Sequence, residues 1–259
     1  MKRWTIRPAF SDDFGRQFPT LDDAFNAESE QVRGTLDSSH SVRKIGATTS
    51  YYMKIYAMRN TLKGRLLGSN AKREFNNLLY MESLGVPVPP VVAQGERDCA
   101  DGRHQSVLVT QEVENSVDLR LLAEANHPLL RNTKWFDSMS TKLAQAVAQL
   151  HQHRFAHNDL NWRNILVVPD DDPQIYLVDC ARGRRWITPF LQFRIVKDLT
   201  HLDKFGQLYL SRTQRLRFYL TYCGEQRLSA ASKRRLRRVL ARQVNARHQP
   251  TDYSAADHR

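Results

Sequence analysis

The chain is poor in cysteine. Cys99, Cys180 and Cys223 are the three among its 259 residues. They are widely spaced and form no Cys-x-x-Cys pair, so neither a disulfide framework nor a structural zinc site is expected. Cys180 reads as a small buried residue rather than a nucleophile. Long apolar runs are missing too. Nothing approaches the ~20 residues of a membrane span, and the opening Met-Lys-Arg-Trp-Thr-Ile-Arg-Pro has no apolar signal core. The expectation is a protein that stays in the cytosol. With 41% apolar residues and no low-complexity tract, the chain should fold into one large or two modest domains. Acidic residues run short in the second half. Residues 1–120 hold 16 Lys+Arg against 15 Asp+Glu, whereas residues 121–259 hold 23 against 12. So uneven a charge implies an anionic partner: phosphorylated glycolipid, membrane surface or nucleic acid. Charge alone does not choose among them.

What is present centres on His157-Asn158-Asp159-Leu160-Asn161-Trp162-Arg163-Asn164, followed at once by Ile165-Leu166-Val167-Val168. A second apolar run, Ile175-Tyr176-Leu177-Val178, ends on Asp179, and the stretch between the runs is dense in turn formers. The unit reads as a β-hairpin. Pairing Val168 with Ile175 would set Asn164 opposite Asp179, about 4.5–5.5 Å apart at Cα. An amide oxygen and a carboxylate meeting there are hard-oxygen ligands suited to Mg²⁺. Asp159 enters the same end from the preceding loop, with no basic neighbour immediately beside it in sequence.

These residues follow the protein-kinase pattern His-x-Asp-x4-Asn followed by a metal-binding Asp. The wording HNDLNWRNIL, with DCARG behind it, resembles more closely the bacterial lipopolysaccharide core kinases, the Kdo and heptose kinase family. That resemblance runs from WTIRPAF to the helix after VKDL. It implies an α+β, two-lobe protein-kinase-like fold. The N-terminal lobe (1–113) would be an antiparallel sheet with one main helix, and the C-terminal lobe (114–259) mostly helical. It further implies transfer of the γ-phosphoryl of ATP, with Mg²⁺, to a heptose or Kdo hydroxyl of the inner core. Asp159 would orient the hydroxyl and accept its proton, while Asn164 and Asp179 hold the metal. Arg163 or a loop arginine is the candidate for neutralising the transferring phosphoryl, because Asn161 stands where protein kinases often have Lys.

Upstream, one short helix is expected around 20–27, and strands over 32–36, 41–45 and 50–56. In the last of these, Tyr52, Lys54 and Tyr56 share one face and Tyr51, Met53 and Ile55 the other. A kinase lysine on the third strand reaches the nucleotide phosphates and pairs with a helix glutamate; Lys54 fits the first role. A helix over 71–84 carries Phe75, Leu78 and Leu79 on one side and stops at Gly85, with Glu74 in its first turn. Between the first two strands, residues 35–41 contain no Gly-x-Gly-x-x-Gly. Serine hydroxyls and backbone N–H groups there can still hold phosphate, though glycine allows closer approach. Arg59, Lys63, Arg65, Lys72 and Arg73 form a basic cluster that would be a solvated face or meet acceptor phosphates.

Residues 86–92 read as a rigid extended segment and 96–105 as a polar loop. A strand over 106–113 would end in the hinge, where backbone groups of Glu112 and Val113 bind adenine. A helix is expected over 118–125, and Asp137 or Ser138 should cap a long one bearing Met139, Leu143, Val147 and Leu150. His151 and His153, two apart, fall on different faces, and His157 should brace the catalytic loop. After Asp179 about eighteen residues lead to a helix starting near Val196, with no Ala-Pro-Glu segment. A protein acceptor needs a platform there; a glycan does not.

The final helix, 229–247, sets Leu236, Val239, Leu240 and Val244 on one side. Lys233, Arg234, Arg235, Arg237, Arg238, Arg242 and Arg247 crowd the rest with no acidic residue among them. It is either a solvated helix or a peripheral contact with the anionic cytoplasmic face of the inner membrane, beside a lipid A-linked acceptor. Three other readings stay open: an aminoglycoside- or choline-type phosphotransferase, a kinase-like scaffold, and a nucleic-acid-binding protein. The last would not need Lys54, Glu74, Asp159, Asn164 and Asp179 together, so nucleic acid is not the expected partner.

Overall fold

The computed structural model describes residues 2–33, 40–46, 48–59 and 69–247. The stretch 35–39 without the glycine pattern, Lys63 and Arg65 lie outside them, as do the side chains of Arg59, Val244 and Arg247. The chain divides into two compact units, one of residues 1–80 and 88–113, the other of 81–87 and 114–259.

The first unit is built on an antiparallel sheet. Its strands are β1 (Lys2–Ile6), β2 (Ser29–Arg33), β3 (His40–Ile45), β4 (Tyr51–Arg59), β5 (Val91–Asp98) and β6 (Arg103–Gln111). Their order is β1-β5-β6-β4-β3-β2. The alternation in β4 decides the core: Tyr51, Met53 and Ile55 are buried against Phe14, Leu21, Val107 and Val109, and the other face presents Lys54. Two helices precede β2. The short α1 (Phe14–Gln17) supplies Phe14, and α2 (Leu21–Asn26) is closed by a capping box between Thr20 and Asp23. The helix α3 (Asn70–Ser83) ends at Gly85, whose φ is +73°.

Two strands escape the sequence patterns. β1 carries only partly buried or exposed side chains, so it shows no alternation to read. β5 covers part of what reads as a polar loop, and pairs with β1 so that Trp4 stands opposite Gly95. A Cβ at Gly95 would come within 2.6 Å of the Trp4 ring and 2.7 Å of Leu21 Cδ1, so only glycine lets this edge close.

The second unit is largely helical. A two-residue strand β7 (Val117–Asp118) leads into α4 (Leu119–Glu124), where Asp118 caps the N-terminus through Leu121 N at 2.8 Å. The long helix α5 (Thr133–Gln152) begins earlier than Asp137. Asn132 is its cap, its side-chain oxygen accepting from Trp135 N, which lets Trp135 and Phe136 join the buried face. Then follow β8 (Phe155–Ala156), a 3-10 turn Trp162–Asn164, the hairpin β9 (Ile165–Val168) and β10 (Gln174–Leu177), and β11 (Arg184–Arg185), paired with β8.

The hairpin forms with a register one residue away from the one expected: Val168 faces Gln174 and Val167 faces Ile175. Three helices close the unit: α6 (Phe190–Tyr209), α7 (Arg212–Cys223) and α8 (Ala230–Arg247). α6 starts six residues before Val196, because exposed Phe190 and Phe193 conceal the amphipathic pattern of its first turns. α8 does start after Ser229, whose hydroxyl accepts from Ser232 N at 3.1 Å. Its apolar stripe is only partly used: Val239 is buried but Leu240 is 41% exposed. Polar contacts also dock it, with the Gln243 amide donating to Asp203, itself gripped by Arg215 through two hydrogen bonds of 2.5 and 2.6 Å.

Candidate active site

In the first unit Lys54 and Glu74 come together, Nζ lying 2.7 Å from Oε1. Glu74 is 1% exposed, and its other oxygen accepts from the Tyr56 hydroxyl at 2.5 Å. Tyr56 and Lys54 share one face of β4, so a two-residue spacing delivers both donors to one buried carboxylate. Lys44 from β3 reaches Glu112 at 2.8 Å, and Tyr52 adds a hydrogen bond at 3.2 Å. Burial of the Glu112 carboxyl is outweighed by these donors, which leave its pKa lowered, while the Glu112 hydrogen bond raises the pKa of Lys44. The Glu112 N–H donates to Ser50 O at 2.9 Å. Of the two residues expected to bind adenine through the backbone, Glu112 therefore has only its carbonyl to offer, and an N–H contact falls to Val113.

The second unit assembles the loop around Asp159. Asn161, capping the 3-10 turn, donates from Nδ2 to Asp159 Oδ1 at 3.0 Å and accepts from Arg163 N at 3.2 Å. Arg163 brings its guanidinium to 3.6 Å from Asp159 Oδ2, so the neighbour that sequence adjacency misses arrives four residues on. The carboxylate is thus held by an amide on one oxygen and faces a cation on the other. Asn164 is 3% exposed and donates from Nδ2 to Asp159 O at 2.8 Å. That bond orients the amide and leaves its oxygen as the acceptor atom.

The slipped register changes what faces Asn164. Its carbonyl accepts from Val178 N at 3.0 Å, and Asp179 comes one residue later, at φ +61°. A left-handed backbone is uncommon for a residue other than glycine, though Asp tolerates it. Asp179 therefore leaves the ladder through a turn rather than standing cross-strand from Asn164.

Several residues carry the loop without having been singled out in the sequence. Asp198 on α6 is fully buried and accepts from His157 N at 2.8 Å and from the His151 ring at 3.4 Å. His157 itself braces as expected, its Nε2–H donating to Val178 O at 3.2 Å. Asn158, at φ +65°, donates to Ala156 O and Arg182 O. Lys197 donates to Asn158 O at 3.0 Å, and burial lowers its pKa. The signal was a Lys-Asp pair embedded in an apolar stretch of helix. Gly183 closes the segment behind Asp179: a Cβ there would collide with Cys180 Sγ and lie 2.6 Å from Phe155 Cζ.

This geometry can orient a hydroxyl at Asp159 and offer hard oxygens nearby. Among the described residues no three His, Cys, Asp or Glu side chains cluster as a metal cage. An amide oxygen at Asn164 and a carboxylate at Asp179 are the kind of oxygen donor that Mg²⁺ takes.

Residues 21–222 match the lipopolysaccharide kinase (Kdo/WaaP) family. The chain belongs to it. This member of the lipopolysaccharide kinase family is 26% identical over 181 residues to the 3-deoxy-D-manno-octulosonic acid kinase of Vibrio parahaemolyticus, covering 62% of this chain and 69% of that one. Over 214 residues it is 26% identical to the lipopolysaccharide core heptose(I) kinase WaaP of Pseudomonas aeruginosa, covering 77% and 79%. A solved structure of WaaP in complex with acyl carrier protein superposes with a TM-score of 0.69 at 22% identity, covering 95% of this chain and 98% of the other. Likeness at that identity establishes the protein-kinase-like fold. The family establishes an enzyme, a kinase whose acceptor is a lipopolysaccharide sugar hydroxyl, and nothing favours the aminoglycoside or scaffold reading. No helix among the described residues is long and apolar enough to cross a membrane.

Proposed function

We propose that this kinase transfers the γ-phosphoryl of ATP, with Mg²⁺, to a Kdo or heptose hydroxyl of the lipid A-linked inner core. The observation carrying the site assignment is the loop geometry, in which Asn161, Arg163 and Asn164 all converge on Asp159. Asp159 orients the hydroxyl and takes its proton. Asn164 Oδ1 and the Asp179 carboxylate are the groups that would hold Mg²⁺, whose chemistry is to neutralise phosphate charge. Lys54, steadied by Glu74, grips the α/β-phosphates, and the backbone at Glu112 and Val113 receives adenine. Arg163 faces the developing charge. Positioning and electrostatics carry such a reaction, with little covalent chemistry asked of the protein. Only residues 180–189 separate Asp179 from α6, which favours a glycan acceptor over a peptide.

The test offers labelled ATP with underphosphorylated core lipopolysaccharide, a generic protein or an aminoglycoside. Label should enter the lipopolysaccharide alone. Asp159→Asn should lower turnover by roughly 10²–10⁴-fold with folding and ATP binding retained. Label in the protein substrate, or normal turnover by the folded variant, would overturn the reading.

A second partner is favoured by a separate observation. The helices of the second unit form an open pocket of about 300 Å³, lined largely by apolar side chains such as Met139, Leu143, Leu199, Leu202 and Val239, with Arg212 and Arg215 also in its lining. We propose that it accepts the acyl chain of an acyl carrier protein, the partner named for the solved WaaP. Acylated carrier protein should copurify with the kinase, and its apo form should not. Equal retention of the two would remove the acyl chain from the contact.

A further inference from the structure

Residues 180–197 contain no acidic side chain and carry Arg182, Arg184, Arg185, Arg194 and Lys197. Out of this basic segment stand three large apolar residues: Ile187 is 67% exposed, Phe190 59% and Phe193 53%. Leu191 N donates to Ile187 O, which closes the turn leading from Ile187 into α6. Phe190 and Phe193, spaced by three, share one side of the first turn of α6, and Ile187 stands in the turn just before it. Single exposed apolar residues are ordinary, but three large ones within the seven residues 187–193 point to an interaction surface.

The arginines around the trio are arranged on aromatic rings. Arg184 lies 4.6 Å and Arg194 4.2 Å from the Trp186 ring, and Arg242 of α8 lies 4.9 Å from the Phe193 ring. An apolar wedge with Trp at its edge and guanidinium groups around it matches the boundary between lipid headgroups and acyl chains. The apolar side chains bury themselves there, and the cations meet anionic phosphates. The segment is also fixed to the catalytic loop. Trp186 N donates to Arg154 O at 2.8 Å, Arg184 pairs with Ala156, and Arg182 O accepts from Asn158.

We propose that Ile187, Phe190 and Phe193, framed by Arg184, Arg185 and Arg194, insert into an anionic phospholipid surface and present the Asp159 loop to an acceptor held in it. This rests on the reading that the acceptor is lipid-linked. It also moves the principal membrane contact away from α8. Among the described side chains of α8, Lys233, Arg234, Arg237 and Arg238 are exposed, but its one large exposed apolar residue is Leu240. Binding by α8 would therefore be electrostatic and vanish with salt, whereas the wedge adds an apolar part that salt does not screen.

Cosedimentation of the full chain with phosphatidylcholine vesicles, with and without phosphatidylglycerol, tests the proposal. The parent should bind the anionic vesicles and keep part of that binding in about 0.5 M salt, where the Debye length falls below ~5 Å. An Ile187→Ser/Phe190→Ser/Phe193→Ser variant should bind roughly 30-fold more weakly, since each large apolar side chain entering lipid contributes about a tenfold factor or less. An Arg234→Gln/Arg237→Gln/Arg238→Gln variant should lose less than the Ser variant at high salt. Turnover of a delipidated core oligosaccharide should survive in the Ser variant, while turnover of vesicle-embedded acceptor falls. Equal vesicle binding by the parent and the folded Ser variant would overturn the proposal. So would a parent dimer that the Ser substitutions dissolve, because the face would then cover a second copy. Vesicle binding that follows the wedge in a parent that phosphorylates no lipopolysaccharide would refute the acceptor reading and leave the surface standing.

Discussion

The Lys54–Glu74 pair makes the sharpest quantitative test of the first unit. Glu74 is 1% exposed and the Lys54 side chain 18%, so little water screens them. Glu74→Ala removes the 2.7 Å contact with Lys54 and the 2.5 Å hydrogen bond from Tyr56. Hydrogen bonds to a charged group contribute about 1.5–3 kcal/mol each, and removing one member of a buried pair costs about 3–5 kcal/mol because the other charge stays desolvated. The variant should therefore melt roughly 10 °C lower in a calorimetric scan. Adding Lys54→Met takes away the stranded charge, so the double variant should be about 2 kcal/mol more stable than the sum of the single losses. Phosphotransfer should show the same pattern, the double variant being little worse than the poorer single one. Losses that add within about 0.5 kcal/mol would show that the two residues are not an energetic unit.

Asp179→Ala should abolish Mg-ATP binding measured by titration calorimetry and lower the thermal midpoint by only a few degrees, the cost of alanine in a left-handed backbone; unchanged Mg-ATP affinity would remove Asp179 from the metal site. His201 supplies a pH dependence. Burial lowers its pKa from the ordinary value near 6.5, Lys197 adds to the shift, and Asp198 and Asp159 oppose it. The unfolded chain accordingly takes up a proton that the folded chain refuses, and stability should fall as pH drops through ~6.5 toward the lower folded value. The urea midpoint should drop between pH 8 and 5.5 by less in His201→Gln than in the parent. Equal drops would assign the acid sensitivity elsewhere.

The parts of the molecule that were legible in the sequence are those where one periodicity or one motif dominates. β4 alternates cleanly, so its faces follow from spacing, and the kinase pattern then pairs Lys54 with Glu74. Asp118 and Ser229 announce their helices because each precedes a helical run with a side chain that can cap it. Register is harder. Turn residues show that a hairpin exists, but with Asp170, Asp171, Asp172 and Pro173 all fit for the turn, nothing local fixes which pair closes it, and one residue of slip moved Asp179 off Asn164. β1 was invisible because a sheet edge need not alternate. Asp198 and Lys197 were missed for a different reason: their roles depend on contacts to residues some forty positions away, and no local pattern encodes those.

The segment behind Asp179 bears on how the enzyme can be controlled. It is tied to the catalytic loop through Arg182, Arg184 and Trp186, and Gly183 is packed against Phe155 with no space to spare. Enzymes of this general architecture that switch on and off do so by letting a long segment at this place order and disorder. A short strap fastened at three points would have to release all three together to take up a second arrangement. Flux through such an enzyme is governed from outside: by how much unmodified acceptor accumulates, and by whether the protein is where that acceptor is.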